Sequence, residues 1–232
     1  MTAELAAVRL TPKFGEETVI TLDGNAFEFP LLSAPNVVEI DWLASGSEDA
    51  VFTDYAEVVS AHYFPISALT EYEGGRDDFE SLPTETLWAA RAAATDVFEQ
   101  AAHRSFVERV GRSKDYGRCG LIAAHHDLQE IITEGYEQES DSYLKRAGAC
   151  GPFPKWVEYT YGAESIPAEV SRAVLDLTAY MLRPSNRPIG ATGESTDAGY
   201  IHFTTAGRDG ATAIPEVNAA IQQFGAGVRC VW

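Results

Sequence analysis

The sequence predicts an α+β fold: a small three-helix core with β hairpins or arms, preceded by a strand-rich N-terminal extension. Three observations carry this prediction. Residues 8–69 alternate apolar and polar side chains in short runs broken by glycine and proline, the pattern of strands. Three later stretches place apolar residues at helical spacing. Each of these opens on an apolar residue followed by proline, at Leu82-Pro83, Ile166-Pro167 and Ile214-Pro215. Proline suits the first helical position because its missing N–H would be unpaired there in any case.

Within the extension, residues 19–22 and 26–29 flank Asp23-Gly24-Asn25, and Asp-Gly between extended runs predicts a hairpin. Residues 37–42 form a strand with Val38, Ile40 and Trp42 on one face, and further extended pieces fall between residues 51 and 63. The charged, glycine-bearing stretch 71–78 marks a boundary. It divides the chain into an extension over 1–78, a helical core over 79–225 and a tail over 226–232.

A helix is expected over residues 83–110, favoured by its alanines, with Leu87, Ala94 and Phe98 facing the core and the glycines and charges of 111–120 ending it. Residues 121–132 suit a short helix or a strand. Residues 135–155 suit a hairpin or a long loop, because serine, glycine and proline interrupt any regular period. A strand over 156–161 places Val157, Tyr159 and Tyr161 on one face. The helix that follows from Pro167 is the hub of the fold: Val170, Ala173, Val174, Leu177 and Met181 share one stripe, and Pro184 stops it. Residues 184–213 are long for a structureless connection and read as a functional arm or loop, with a short strand at 200–204. The last helix opens at Pro215 and presents Val217, Ala220, Ile221 and Phe224. The predicted helical core is therefore Leu87, Ala94, Phe98, Val170, Val174, Leu177, Met181 and Phe224.

At 232 residues the chain suits one large domain or two small ones. Thirty-five acidic against 17 basic residues give a formal charge of −18, which argues against a grip on nucleic-acid phosphates or on an anionic membrane. The same charge also serves solubility alone. Cys119, Cys150 and Cys230 are odd in number and widely spaced, so neither a disulfide framework nor a zinc site is indicated, and synthesis in a reducing cytoplasm is expected. The N-terminus lacks a basic region followed by an apolar core, and no uncharged run approaches the ~20 residues of a membrane helix. The expected protein is soluble and not exported by a cleaved signal.

Few residues suggest chemistry. Asp96, Glu99 and His103 stand at i, i+3 and i+7 of the first helix and could converge on one metal ion, as in a metal-dependent enzyme; a solvated polar stripe is the plainer reading. His125-His126-Asp127 adds imidazoles, but adjacent side chains diverge in regular structure. There is no Gly-x-Ser-x-Gly elbow, and Gly190, Gly193 and Gly199 neither follow an apolar strand nor open a helix, so no phosphate loop is present. The expectation is a protein that is no enzyme and holds neither cofactor nor metal. The chain ends on Val228, Arg229, Cys230, Val231 and Trp232, an unusually apolar terminus. Such a tail either folds back on its own sheet or docks on a partner by strand addition or pocket insertion.

Three stretches resemble the head-to-tail adaptor (head-tail connector) family of long-tailed bacteriophages and gene transfer agents. They are the alanine-rich helix ending in His103-Arg104-Ser105-Phe106, the strand and Ile-Pro helix over 156–182, and GATAIPEVNAAIQQF over 210–224. The resemblance covers residues 82–225, whereas many adaptors begin close to their first helix. It implies a structural virion protein, made in the bacterial host cytoplasm and placed at the head-tail interface. Twelve copies would form a ring under the portal, connect capsid to tail and line a DNA channel. The implied partners are the portal protein, neighbouring copies and a stopper or tail-completion protein, with DNA passing unbound and no membrane involved. Residues 228–232 would dock on the portal. A stopper or tail-completion protein of the same particle is the alternative.

Overall fold

The structure, a computed structural model, describes residues 5–24, 26–72, 79–117, 120–148, 155–183, 193–196, 199–202 and 211–226. It is an α+β fold of helices and antiparallel sheets. Two compact units share the chain: Met1–Ala61 with Val107–Gly162, and His62–Phe106 with Ala163–Trp232. Each unit is thus assembled from two separate segments, a different cut from the boundary expected at 71–78.

The first unit begins with β1 (Leu5–Pro12), β2 (Thr18–Thr21), β3 (Asn36–Ala44) and β4 (Ala50–Val58), which form one sheet in the order β2-β1-β3-β4. Alternation sets its faces. Val8, Leu10, Val38 and Ile40 are buried on one side, with Ile20, Trp42, Ala56 and Val58 packed around them. The hairpin expected across Asp23-Gly24-Asn25 does not form as two strands: β2 pairs back on β1, with Val8 opposite Ile20, and only a single bridge joins Asp23 to Ala26. Ladder pairing decides this, since the Leu22 N–H donates to the Ala6 carbonyl at 2.9 Å and continues the β1 pairing. Phe27 then sets its ring edge-on to Trp42.

The same unit contains β5 (Arg109–Asp115), β6 (Ile122–Ala123), β7 (Leu128–Ile131), β8 (Tyr136–Ser140), β9 (Tyr143–Arg146) and β10 (Lys155–Tyr161). They form two three-stranded sheets, β5-β10-β7 and β6-β9-β8. The stretch 121–132 is therefore two short strands, and residues 136–146 are a hairpin. Val157 and Tyr159 anchor a core with Ala124, Leu128 and Leu144. Gly111 lies inside β5 instead of ending a helix. A Cβ there would sit 2.7 Å from the Tyr159 ring, so the glycine lets the tyrosines lie against the strand.

The second unit holds α1 (Ser67–Thr70), α2 (Thr84–Ala102), α3 (Ala168–Leu182), a two-stranded ladder of β11 (Gly193–Thr196) and β12 (Gly199–His202), and α4 (Pro215–Phe224). Helix α2 stops eight residues short of the expected Val110, because His103 takes a left-handed conformation at φ 53°. Pro215 occupies the first turn of α4, whereas Pro83 and Pro167 cap their helices from extended conformations just outside them. Leu87, Ala94, Phe98, Val170, Val174 and Leu177 are buried as predicted, and Phe224 is half-buried. Met181 is not a core residue. It and Tyr180 are 40% and 50% exposed, so burial along α3 ends at Ala179. Among the described residues no helix is long and apolar enough to cross a membrane.

Truncating Phe98, which is fully buried, should cost about 3–5 kcal/mol in denaturant unfolding. Met181→Ala should cost under about 1 kcal/mol in the same measurement. Equal losses would contradict this assignment of the core.

Candidate functional site

The predicted docking residues Val228, Arg229, Cys230, Val231 and Trp232 lie outside the described residues, as do Cys119 and Cys150. What the structure brings together instead is the end of α2 and the start and end of the later helices. After His103, the Arg104 N–H returns to the Glu99 carbonyl and the chain turns under α2. The Glu99 carboxylate accepts hydrogen bonds from the Tyr63 hydroxyl at 2.5 Å and the Ser105 hydroxyl at 3.0 Å. The Phe106 N–H donates to the Tyr63 hydroxyl oxygen at 3.0 Å. Phe106 then meets Tyr63, Phe98 and Phe224 at centroid distances of 6.2–6.5 Å, the tilted and edge-on geometries that aromatic quadrupoles favour. Arg104 crosses the Phe106 ring and donates to the Phe224 carbonyl at 3.3 Å, while the Ala226 N–H donates to the Ala102 carbonyl at 2.8 Å. On the other side the Ala163 N–H donates to the Ser105 carbonyl, which ties in the segment leading to α3.

This arrangement accounts for the suspected metal ligands. Glu99 is held by two hydroxyls, while Asp96 and His103 are exposed. Among the described residues no group of three potential ligands is placed to hold a metal ion. The histidine pair diverges: His125 Nδ1 lies 2.8 Å from the Tyr159 hydroxyl with its ring stacked on Tyr161, whereas His126 faces Asp141 at 3.3 Å.

Two features of the β unit were not legible beforehand. On one face of the β5-β10 pair, Arg112 and Lys114 lie over the half-exposed Trp156 ring at 4.9 and 5.5 Å, and Lys114 also reaches Tyr116 at 5.2 Å. In a chain this acidic, that makes a local cationic and aromatic stripe. Register creates it, because Trp156 pairs with Lys114 only once β10 lies against β5.

The other feature is a buried ion pair. Asp115 is 2% exposed and its carboxylate takes the Arg146 guanidinium on both oxygens at 2.7 and 3.0 Å, with the Gly117 N–H at 2.8 Å and the Tyr136 hydroxyl at 2.9 Å. Burial by itself would raise the Asp115 carboxyl. Hydrogen bonds from Arg146, Gly117 and Tyr136 outweigh it and hold the group below the ordinary carboxylate range. Tyr136 is raised, by burial and by the adjoining Asp115 charge. In the helical unit, α3 and α4 border an open groove of about 510 Å³ lined by Ala168, Arg172, Ala173, Ala219 and Ala220. Asp176 at its side is engaged by Arg172 and by the Tyr72 hydroxyl.

No protein-family model matches the chain, and no curated protein matches it. Among solved structures the chain is similar, at 14% identity and a TM-score of 0.47, to a chain in the virion of a native gene transfer agent particle, covering 74% of this chain and 95% of that one. It is similar at 16% identity and a TM-score of 0.44 to a chain in the neck of an empty gene transfer agent particle computed with C6 symmetry, over 76% and 95% of the two chains. A chain in the neck of the native particle computed with C12 symmetry gives 16% identity and a TM-score of 0.42, over 75% and 97%.

Arg146→Ala should destabilise the protein by about 3–5 kcal/mol, since it strands a buried carboxylate. The sign with pH follows from the depressed Asp115. In the parent its contribution is complete above the unfolded carboxyl value, about 3.9, and is lost as pH falls through the lower folded value. Removing the arginine removes that depression, so the stability gap between parent and variant should be widest near neutral pH and should narrow as pH falls through the parent's Asp115 value. A gap that stays constant into acid would contradict the assignment.

Proposed function

We propose that the chain is a structural protein of a virus-like particle: a head-to-tail adaptor whose copies form a ring beneath the portal and surround the channel through which DNA passes. One observation carries this. The three stretches whose wording resembles the adaptor family, ending at Phe106, leading through Ile166-Pro167 and closing at Phe224, meet in a single packed junction through Ser105, Arg104 and the Phe106–Phe224 contact. Residues far apart in the chain that resemble one family separately thus also serve one piece of structure.

The role is passive. Chemistry is not required of any residue; what is required is a rigid helical unit and segments that reach neighbours. The β8-β9 hairpin and residues 184–213 would supply contacts between adjacent subunits, where a ring joins two different patches. The C-terminal residues 228–232 would anchor each copy to the portal. A formal charge of −18 suits a channel, since acidic walls make no sticky stops for phosphates.

Deleting residues 228–232 tests the anchor. The truncated chain should lose copurification with the portal protein of its particle while its helical circular dichroism is unchanged. Portal binding that survives the deletion would remove the tail from the docking site. Loss of helicity together with binding would make the tail part of the core.

A further inference from the structure

We propose that the Arg112–Trp156–Lys114 stripe receives the acidic β8-β9 hairpin of a second copy of this chain. The proposal rests on the ring reading above and names the two patches that adjacent subunits would join.

The stripe is a cationic patch that the chain's own carboxylates leave alone. Arg112 and Lys114 share one face of the β5-β10 pair with Trp156 and Glu158, because Lys114 lies opposite Trp156 and Arg112 opposite Glu158. Glu158 is held by Lys13 at 2.5 Å instead of by Arg112. Asp115, next to Lys114 in the strand, turns to the other face and is taken by Arg146. Among the described residues no carboxylate pairs with Arg112 or Lys114, in a chain with 35 acidic residues. What the two cations meet is aromatic: the Trp156 ring at 4.9 and 5.5 Å and, for Lys114, the Tyr116 ring at 5.2 Å. Those rings are 49% and 66% exposed, so positive charge and apolar area share one patch, the composition that anchors interfaces. The patch is also rigid. Val157 and Tyr159, on the opposite face of β10, are fully buried and fix the strand beneath it, so docking there immobilises little.

The occupant follows from charge and from the side of the sheet on which each patch lies. Residues 134–141 contain Glu134, Glu137, Glu139 and Asp141 and no lysine or arginine, and all four carboxylates are exposed. Lys145 answers Glu137 and Glu139 with a single positive charge, at 3.9 and 2.6 Å, so this surface stays negative. Tyr136 and Leu144 turn inward onto the core of Val157 and Tyr159, which leaves Glu137, opposite Lys145, on the outside of its layer. The stripe lies on the face of β10 that points away from that core. Hairpin and stripe therefore sit on opposite sides of one two-layer stack and cannot meet within a copy. Between copies they can. Because each copy carries both patches, the contact is heterologous and propagates head to tail into a closed ring or a filament. Nucleic acid suits the stripe less well, since a phosphate track is held by a row of cations and this one offers two, in a chain of formal charge −18.

The test uses the full-length protein and three variants: Arg112→Glu with Lys114→Glu, Glu137→Lys with Glu139→Lys, and all four substitutions together. Sedimentation is followed against concentration, with far-UV circular dichroism confirming that each variant folds. The parent should associate reversibly at about 0.1 M salt and more weakly at about 1 M, as the screening length shrinks from ~10 to ~3 Å. Either pair of reversals alone should weaken association roughly tenfold or more. An equimolar mixture of the two, and the fourfold variant by itself, should regain it, because each sets cations opposite carboxylates again. A parent that stays monomeric, association untouched by either pair, or no recovery in the mixture and the fourfold variant would overturn the proposal. A single-stranded oligonucleotide bound by the parent and not by the Arg112→Glu, Lys114→Glu variant would give the stripe to nucleic acid and overturn it as well. None of these results depends on portal binding, which the tail deletion reads separately.

Discussion

The left-handed turn at His103 is the constraint on which the helical unit depends. A non-glycine residue at φ 53° is unfavourable by itself, and here it ends α2 just where the chain must reverse. Glu99 secures the reversal by gathering the Tyr63 and Ser105 hydroxyls on one carboxylate, and hydrogen bonds to a charged acceptor contribute about 1.5–3 kcal/mol each. The reversal delivers Phe106 into the space between Tyr63, Phe98 and Phe224. Helix α4 is fastened to the same place by Arg104 and by the Ala102 carbonyl. A longer α2 would carry Phe106 away from all of these partners.

In the β unit, strand β10 has the corresponding role. It pairs with β5 on one side and β7 on the other, and it contributes Val157 and Tyr159, both fully buried. Burying a tyrosine requires a partner for its hydroxyl, and Tyr159 has Ser113 at 2.9 Å and His125 at 2.8 Å. Gly162 then ends the strand at φ 128°, where an added Cβ would stand 2.1 Å from the Val107 carbonyl oxygen, so only glycine fits. The Asp115–Arg146 pair joins β5 to β9 inside the same unit.

Much of this was legible in the sequence where periodicity is strong. Val38 and Ile40, Val157 and Tyr159, and the stripe from Val170 to Leu177 fall on the faces that alternation and helical spacing assign to them. The failures have physical reasons. Phe106, Val107 and Val110 continue an apolar pattern past His103, and a left-handed histidine carries no compositional signal comparable to glycine, so periodicity extends α2 beyond its true end at Ala102. Asp-Gly marked a real turn at 23–26, but the ladder with β1 competed for the same residues. Met181 keeps the helical phase of its stripe, yet phase does not reveal where the covering layer stops. Edge status, register and the Arg112–Trp156–Lys114 stripe depend on which strands become neighbours, and local sequence does not encode that.

The stretches that resemble adaptors draw on both units, since the strand of the second one is β10, and of the larger sheets only that of β1 to β4 lies outside the resemblance. The proposed role turns on where the protein resides and in how many copies. Quantitative mass spectrometry of purified particles, measuring this chain against the portal protein, tests that most directly. The account predicts a ratio of about one, as for two rings of equal symmetry. A ratio near one half, or absence from the particle, would contradict it.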